Sequence, residues 1–143
     1  MSFDYRTTMT TTDLQRRLWF WAPPVAYMGL IFYFSSESNP LPTLTTTVWD
    51  KALHLVEYGG LGFLLCRAFS HEGMARNLAT ISAAIIASLY GASDEWHQLF
   101  VPGRNSDVYD WLTDTIGGGL GVAAYLLAVV ISTVSRQPRQ PPR

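Results

Sequence analysis

Apolar residues fall into four long blocks along the chain, and polar residues crowd between and beyond them. The first block, Leu18–Phe34, reads LWFWAPPVAYMGLIFYF and carries no charge over 17 residues. A bilayer core needs about 20 helical residues. Pro23 and Pro24 lie inside this block; membrane helices tolerate prolines better than helices in water do. The second block, Ala52–Phe69, contains His54, Glu57 and Tyr58, the third runs over Leu78–Leu99, and the fourth, Trp111–Ile131, contains Asp114. A soluble four-helix bundle is the rival reading. Against it, GGGLGVAAYLLAVVI has no polar face to turn to water, and LATISAAIIASLYGA has only a few hydroxyls. The pattern predicts an all-α fold, an integral membrane bundle of four transmembrane helices. Residues 1–17 form a cytoplasmic segment, 18–132 the helical domain, and 133–143, ending QPRQPPR, a disordered cytoplasmic tail.

Composition sharpens this without deciding it. Of 143 residues, 15% are charged, below the roughly 25% of a soluble domain. The net charge of −1 provides no basic field for nucleic acid. The single Cys66 rules out an internal disulfide and a cysteine zinc cluster. Positive charge is distributed unevenly. Arg6, Arg16, Arg17, Arg67, Arg76, Arg136, Arg139 and Arg143 fall on one side of the four blocks, and only Lys51 and Arg104 on the other. The positive-inside rule then predicts a multi-pass protein of the cell membrane with both termini cytoplasmic. FSSESNPLP has no small-x-small cleavage pattern, so the first span is expected to stay uncleaved.

Acids show the opposite bias. Glu37, Asp50, Asp94, Glu95, Asp107, Asp110 and Asp114 all fall toward the outer ends of the spans. At 1.5 Å rise per residue, His54 lies roughly 6 Å and Tyr58 roughly 12 Å below Asp50, while Asp114 lies roughly 6 Å below Asp110. Asp50, His54 and Tyr58 share one helix face, as do Asp94, His97 and Gln98, and Asp107, Asp110 and Asp114. Charges in hydrocarbon face the bundle interior and find partners there. One polar cluster near the outer surface is therefore expected. VPGR ends the third helix and NSD starts the fourth with capping residues.

YFSSES, DKALHLVEYGGLGFLL and YGASDEWHQLFVPGRNSDVYDWLTDTIGGGLG together resemble the VanZ-like membrane protein family. The resemblance covers about residues 34–121, and its force lies in the combination of FSS, DK-x-x-H-x-x-x-Y, DE-x-H-Q and PGR in order. It implies a small integral protein of the bacterial cell envelope, in a family whose namesake is associated with low-level teicoplanin resistance. It implies no reaction. Its motif positions carry over as Ser35, Ser36, Asp50, Lys51, His54, Tyr58, Asp94, Glu95, His97, Gln98, Arg104, Asp107 and Asp110. Asp114 is an acid where the family pattern leads one to expect an uncharged polar residue, so the carry-over stops short of it.

Each signal has a plainer reading beside it. Asp94, Glu95, His97 and Gln98 serve either a structural network or a headgroup site. His54 is an interface hydrogen-bonding group, to Tyr58 or Asp94, or a general base. Arg104 bridges Asp107 or Asp110, or holds a phosphate. His54, His97, Asp94 and Asp110 could ligate zinc or manganese, but no HExxH-type motif is present and no metal or cofactor is called for. Gly59, Gly60, Gly62, Gly117 and Gly121 favour close packing within the bundle, with homodimerisation the alternative. The expected partners are membrane lipids or a lipid-linked envelope precursor. The function this supports is headgroup binding; the alternative is an intramembrane hydrolase or transferase acting on a phospholipid or lipid-linked glycan.

Overall fold

The computed structural model describes residues 10–38 and 47–136, without the side chains of 47–50. It consists of four α-helices and, among the described residues, no strand: α1 (Thr11–Ser36), α2 (Thr47–His71), α3 (Arg76–Gln98) and α4 (Val108–Ser135). Thr10 starts α1 with a reciprocal cap. Its hydroxyl accepts from the Asp13 backbone N–H at 3.2 Å and donates to the Asp13 carboxylate at 2.7 Å. The helix then continues through both prolines to Ser36. At α4 the cap is Asp107, which accepts from the Tyr109 backbone N–H at 2.9 Å.

α2 and α3 form the middle of the bundle; α4 packs on one side of the pair and α1 on the other. Small residues make the closest approaches. Ala79, Ala83, Ala87 and Gly91 recur every four residues on α3, and all are buried. Gly62 on α2 faces the Gly118 carbonyl, and Gly121 on α4 faces the Gly59 carbonyl, so closely that a Cβ at either would strike backbone. The glycines therefore pack α2 against α4 inside one chain. α2 supplies the bulk of the core through Tyr58, Leu61, Leu65 and Cys66. Polar ties add register. Tyr90 donates to the Met28 carbonyl at 2.7 Å, and the Trp111 indole to the Ser88 carbonyl at 3.0 Å. At the end holding the α2–α3 turn, Glu72 takes the Trp21 indole N–H at 3.0 Å and pairs with Arg17 at 3.3 Å.

Large apolar side chains point outward on every helix: Val25 and Leu30, Leu53 and Val56, Ile81, Ile85 and Leu89, Ile116 and Leu120 are all exposed. α4 is long and apolar enough to cross a membrane, and it is the one such helix among the described residues. The other three are 23–26 residues long, or about 35–39 Å at 1.5 Å per residue. Prolines, glycines, tryptophans and the ionisable groups of the second block dilute their hydropathy.

Candidate functional site

The polar groups meet at the end of the bundle where α1 and α3 finish and α2 and α4 begin. His54, on the third helical turn of α2, faces α4. Its Nδ1 lies 2.8 Å from Asp114 Oδ1, and Asp114 is fully buried. One turn earlier on α2, Lys51 meets the first turn of α4, with Nζ 2.5 Å from Asp110 Oδ1 and 3.3 Å from Asp107 Oδ2. From α3, Glu95 accepts the Asp107 backbone N–H through Oε2 at 2.7 Å, which ties the start of α4 to the end of α3. Asp94 accepts from the Gln98 amide at 3.3 Å. Ser35 of α1 is buried with its hydroxyl beside the Asp94 carboxyl but outside hydrogen-bond geometry. Tyr58 is fully buried beneath this layer, its hydroxyl unpaired among the described residues.

Electrostatics at the rim follow from these contacts. The Tyr109 backbone N–H, and after it Lys51, hold the Asp107 carboxyl below its ordinary range. The Asp110 carboxylate, with Asp107 behind it, raises Lys51 above its usual value. Both cations of this end are committed. Arg104 donates from Nε to the Glu37 carbonyl at 3.1 Å and from a terminal nitrogen to the Phe34 carbonyl at 3.0 Å, closing the C-terminus of α1. Arg104 thus makes its hydrogen bonds to carbonyls of α1, where a salt bridge to Asp107 or Asp110 was one expectation. The turn at Gly103, φ 83°, precedes Arg104, whose fork reaches α1, while Lys51 takes the two acids.

His97 lies beside Asp94 on the side of α3 that faces α1. The Ser36 hydroxyl donates to the Phe32 carbonyl at 2.7 Å, so His97 Nε2, 3.1 Å from that oxygen, is the donor to it. The His97 ring also lies against the Phe32 ring, with centroids 4.6 Å apart. Beside it opens a cleft of about 440 Å³ between α1 and α3, lined by Phe32, Tyr90, Ser93, Asp94, Trp96, His97 and Phe100.

A family model described as VanZ/LLP1 matches residues 3–130. The chain belongs to the VanZ/LLP1 family. No curated protein and no solved structure matches it. Family membership and the apolar α4 together point to a membrane protein.

Against the VanZ-like motif positions, the structure brings Lys51, His54, Tyr58, Asp94, Glu95, Gln98, Asp107 and Asp110 to one end of the bundle, places Ser35, Ser36 and His97 on its α1 side, and gives Arg104 a capping role. The side chain of Asp50 lies outside the described residues. Motif matching passed over Asp114, the acid at the centre of the cluster; the spacing of Asp107, Asp110 and Asp114 on one helix face was the signal that placed it there. The partner of His54 is thus Asp114, where Tyr58 or Asp94 was expected. Chemically, His54–Asp114 is an imidazole oriented by a buried carboxylate, the arrangement a general base uses. Glu95 adds a second carboxylate to that pair: one ligand atom from each of His54, Glu95 and Asp114 lies within 4.8 Å of the others.

Proposed function

We propose that this VanZ/LLP1 protein spans the envelope membrane four times with both termini cytoplasmic, and binds the headgroup of a membrane lipid or lipid-linked envelope precursor in the α1–α3 cleft beside its outer polar cluster. The observation that carries the reading is the cleft itself. It is lined mainly by apolar surface from Phe32, Tyr90, Trp96 and Phe100, with Ser93, Asp94 and His97 also on its lining. The aromatic rings suit acyl or interfacial chain segments, and the Asp94 carboxylate offers an acceptor. The four-span reading rests on the apolar side chains exposed on all four helices and on the arginine asymmetry. With Lys51 and Arg104 committed, the acid excess favours headgroups that carry hydroxyl or ammonium donors for Asp94. A link to glycopeptide resistance would follow if occupancy of this cleft alters access to a precursor.

The test is native mass spectrometry of purified protein titrated with short-chain phosphatidylethanolamine and phosphatidylglycerol. Asp94→Asn is expected to weaken retention roughly tenfold, the loss of one charge-assisted hydrogen bond, and His97→Ala to weaken it through the lost cleft lining. Equal retention by all three proteins refutes the reading. The span assignment has its own check. Ser106→Cys is expected to react with an impermeant maleimide added outside intact cells, and Ala75→Cys only after lysis; the reverse pattern inverts the topology. A second reading, an intramembrane hydrolase or transferase, is favoured by the His54–Asp114 pair. It requires lipid turnover that His54→Ala abolishes.

A further inference from the structure

We propose that His54, Glu95 and Asp114 form a site for one divalent transition-metal ion of the nitrogen/oxygen-ligand class, such as Mn²⁺ or Zn²⁺. The three come from three helices, α2, α3 and α4, and each is more than nine-tenths buried. Their ligand atoms already converge within 4.8 Å. Metal–ligand bonds are about 2.0–2.2 Å for imidazole and carboxylate, so small side-chain rotations bring the three around one centre. An imidazole and two carboxylates without a thiolate suit Mn²⁺, Fe²⁺ or Zn²⁺ and disfavour the thiol-seeking ions.

Convergence alone would not make a site. The independent sign is that each carboxylate keeps one buried oxygen uncommitted. Asp114 Oδ1 is used by His54 and Glu95 Oε2 by the Asp107 N–H, while Asp114 Oδ2 and Glu95 Oε1 have no partner among the described residues. Buried carboxylates with open lone pairs are costly unless something cationic meets them. The permanent cations of this end are spent elsewhere, Lys51 on Asp107 and Asp110 and Arg104 on two carbonyls, and the His54 contact goes to Asp114 Oδ1. The packing admits Asp114 only because residue 91, one helical turn before Glu95, is glycine: a Cβ there would fall 2.9 Å from Asp114 Oδ2. Around the three ligands lies the supporting layer a metal site uses, with the Asp107 N–H fixing the Glu95 carboxylate. The ion would tie three helices together and supply positive charge at the polar end. The inference does not depend on the headgroup reading.

The test uses the full chain, purified in detergent, stripped with chelator and re-exposed to Mn²⁺ or Zn²⁺. Metal content per chain is read by mass spectrometry, and the unfolding midpoint is followed with and without the ion. One ion per chain and a raised midpoint are expected. Glu95→Gln and Asp114→Asn are expected to lower affinity roughly tenfold or more, and His71→Ala, at the opposite end of the bundle, to leave it unchanged. Should Asp114→Asn fail to fold, Glu95→Gln alone decides, with circular dichroism confirming its helices. A wild-type protein that retains no ion and shows no midpoint shift at millimolar metal overturns the proposal. So does a folded Glu95→Gln protein that binds as wild type does.

Discussion

Three of the four glycines on α4, Gly117, Gly119 and Gly121, allow one substitution to be run against itself. Gly119 faces open space, with nothing within 4 Å of where its Cβ would stand. Gly117 lies two residues away, and a Cβ there would fall 2.5 Å from the Leu55 carbonyl oxygen and 3.1 Å from its carbon. At Gly121 the same atom would press on the Gly59 carbonyl more closely still, with the Phe63 backbone N at 2.9 Å. Gly→Ala inside a helix gains about 0.5–1 kcal/mol from the backbone entropy of the unfolded chain. At Gly119 that gain is the whole effect, so Gly119→Ala should stabilise by about that amount. At Gly117 the helices must part by about 0.9 Å to restore an ordinary 3.4 Å contact. A gap of this size forfeits roughly a quarter to a half of the dispersion energy at each neighbouring contact. Overpacking costs about 1–3 kcal/mol. Net of the entropy gain, Gly117→Ala and Gly121→Ala should each destabilise by about 1–2 kcal/mol, Gly121→Ala the more. Tryptophan fluorescence during denaturant titration in mixed micelles measures this, with light scattering for oligomeric state. A Gly121→Ala protein as stable as Gly119→Ala refutes the intrachain packing. If Gly121→Ala dissociates a dimer without loss of stability, the stripe serves a second copy instead.

Two further outcomes follow from the polar end. Arg104→Ala removes two hydrogen bonds from the last carbonyls of α1, which should cost about 1 kcal/mol and speed amide exchange at the end of α1; Arg104→Lys, lacking the planar fork, should recover little, and unchanged exchange in both would refute the capping role. Asp107 has a depressed pKa from the Tyr109 N–H and Lys51, so its contribution is present above the ordinary aspartate value of about 3.9 and is lost as pH falls through the lower folded value; unfolding midpoints measured from about pH 6 to 3 should fall more steeply for wild type than for Asp107→Asn, and parallel curves would refute the linkage.

Much of this arrangement could be read from spacing. Four apolar blocks became four helices, and of the i, i+3, i+7 set Asp110 and Asp114 became an inward face of α4 while Asp107 caps its start. Spacing tells which residues share a face but not which neighbouring helix that face meets. That is why His54 was matched to its own helix or to Asp94, when the Gly59/Gly62 and Gly117/Gly121 contact brings α4 closest to α2 and seats Asp114 against it. Arg104 was misread for a related reason. Its charge suggested an acid partner, but a loop residue goes where its turn aims it, and the turn through Gly103 leads Arg104 to open carbonyls at the end of α1. His97 stays beside Asp94 on the cleft between α1 and α3, but its hydrogen bond and ring contact go to Ser36 and Phe32 on α1.

The distribution of sizes gives a reason for a polar cluster at this place. Along α3 the buried stripe is Ala79, Ala83, Ala87 and Gly91, while Leu78, Ile81, Ile85 and Leu89 face out. On the proposed membrane reading, burying a leucine against a neighbouring helix gains little over leaving it in lipid, since both surroundings are apolar. Stability then has to come from close backbone approach and from polar contacts between helices. Glycine and alanine supply the first along the middle of the bundle. At the end where α1 and α3 stop, the acids, histidines and Lys51 supply the second, linking α2, α3 and α4 by side-chain contacts that specify register. A network serving register alone would be expected to satisfy all of its buried atoms. Among the described residues Ser35 Oγ, Tyr58 Oη, Glu95 Oε1 and Asp114 Oδ2 stay open, and the two carboxylate oxygens are the atoms the proposed cation would use.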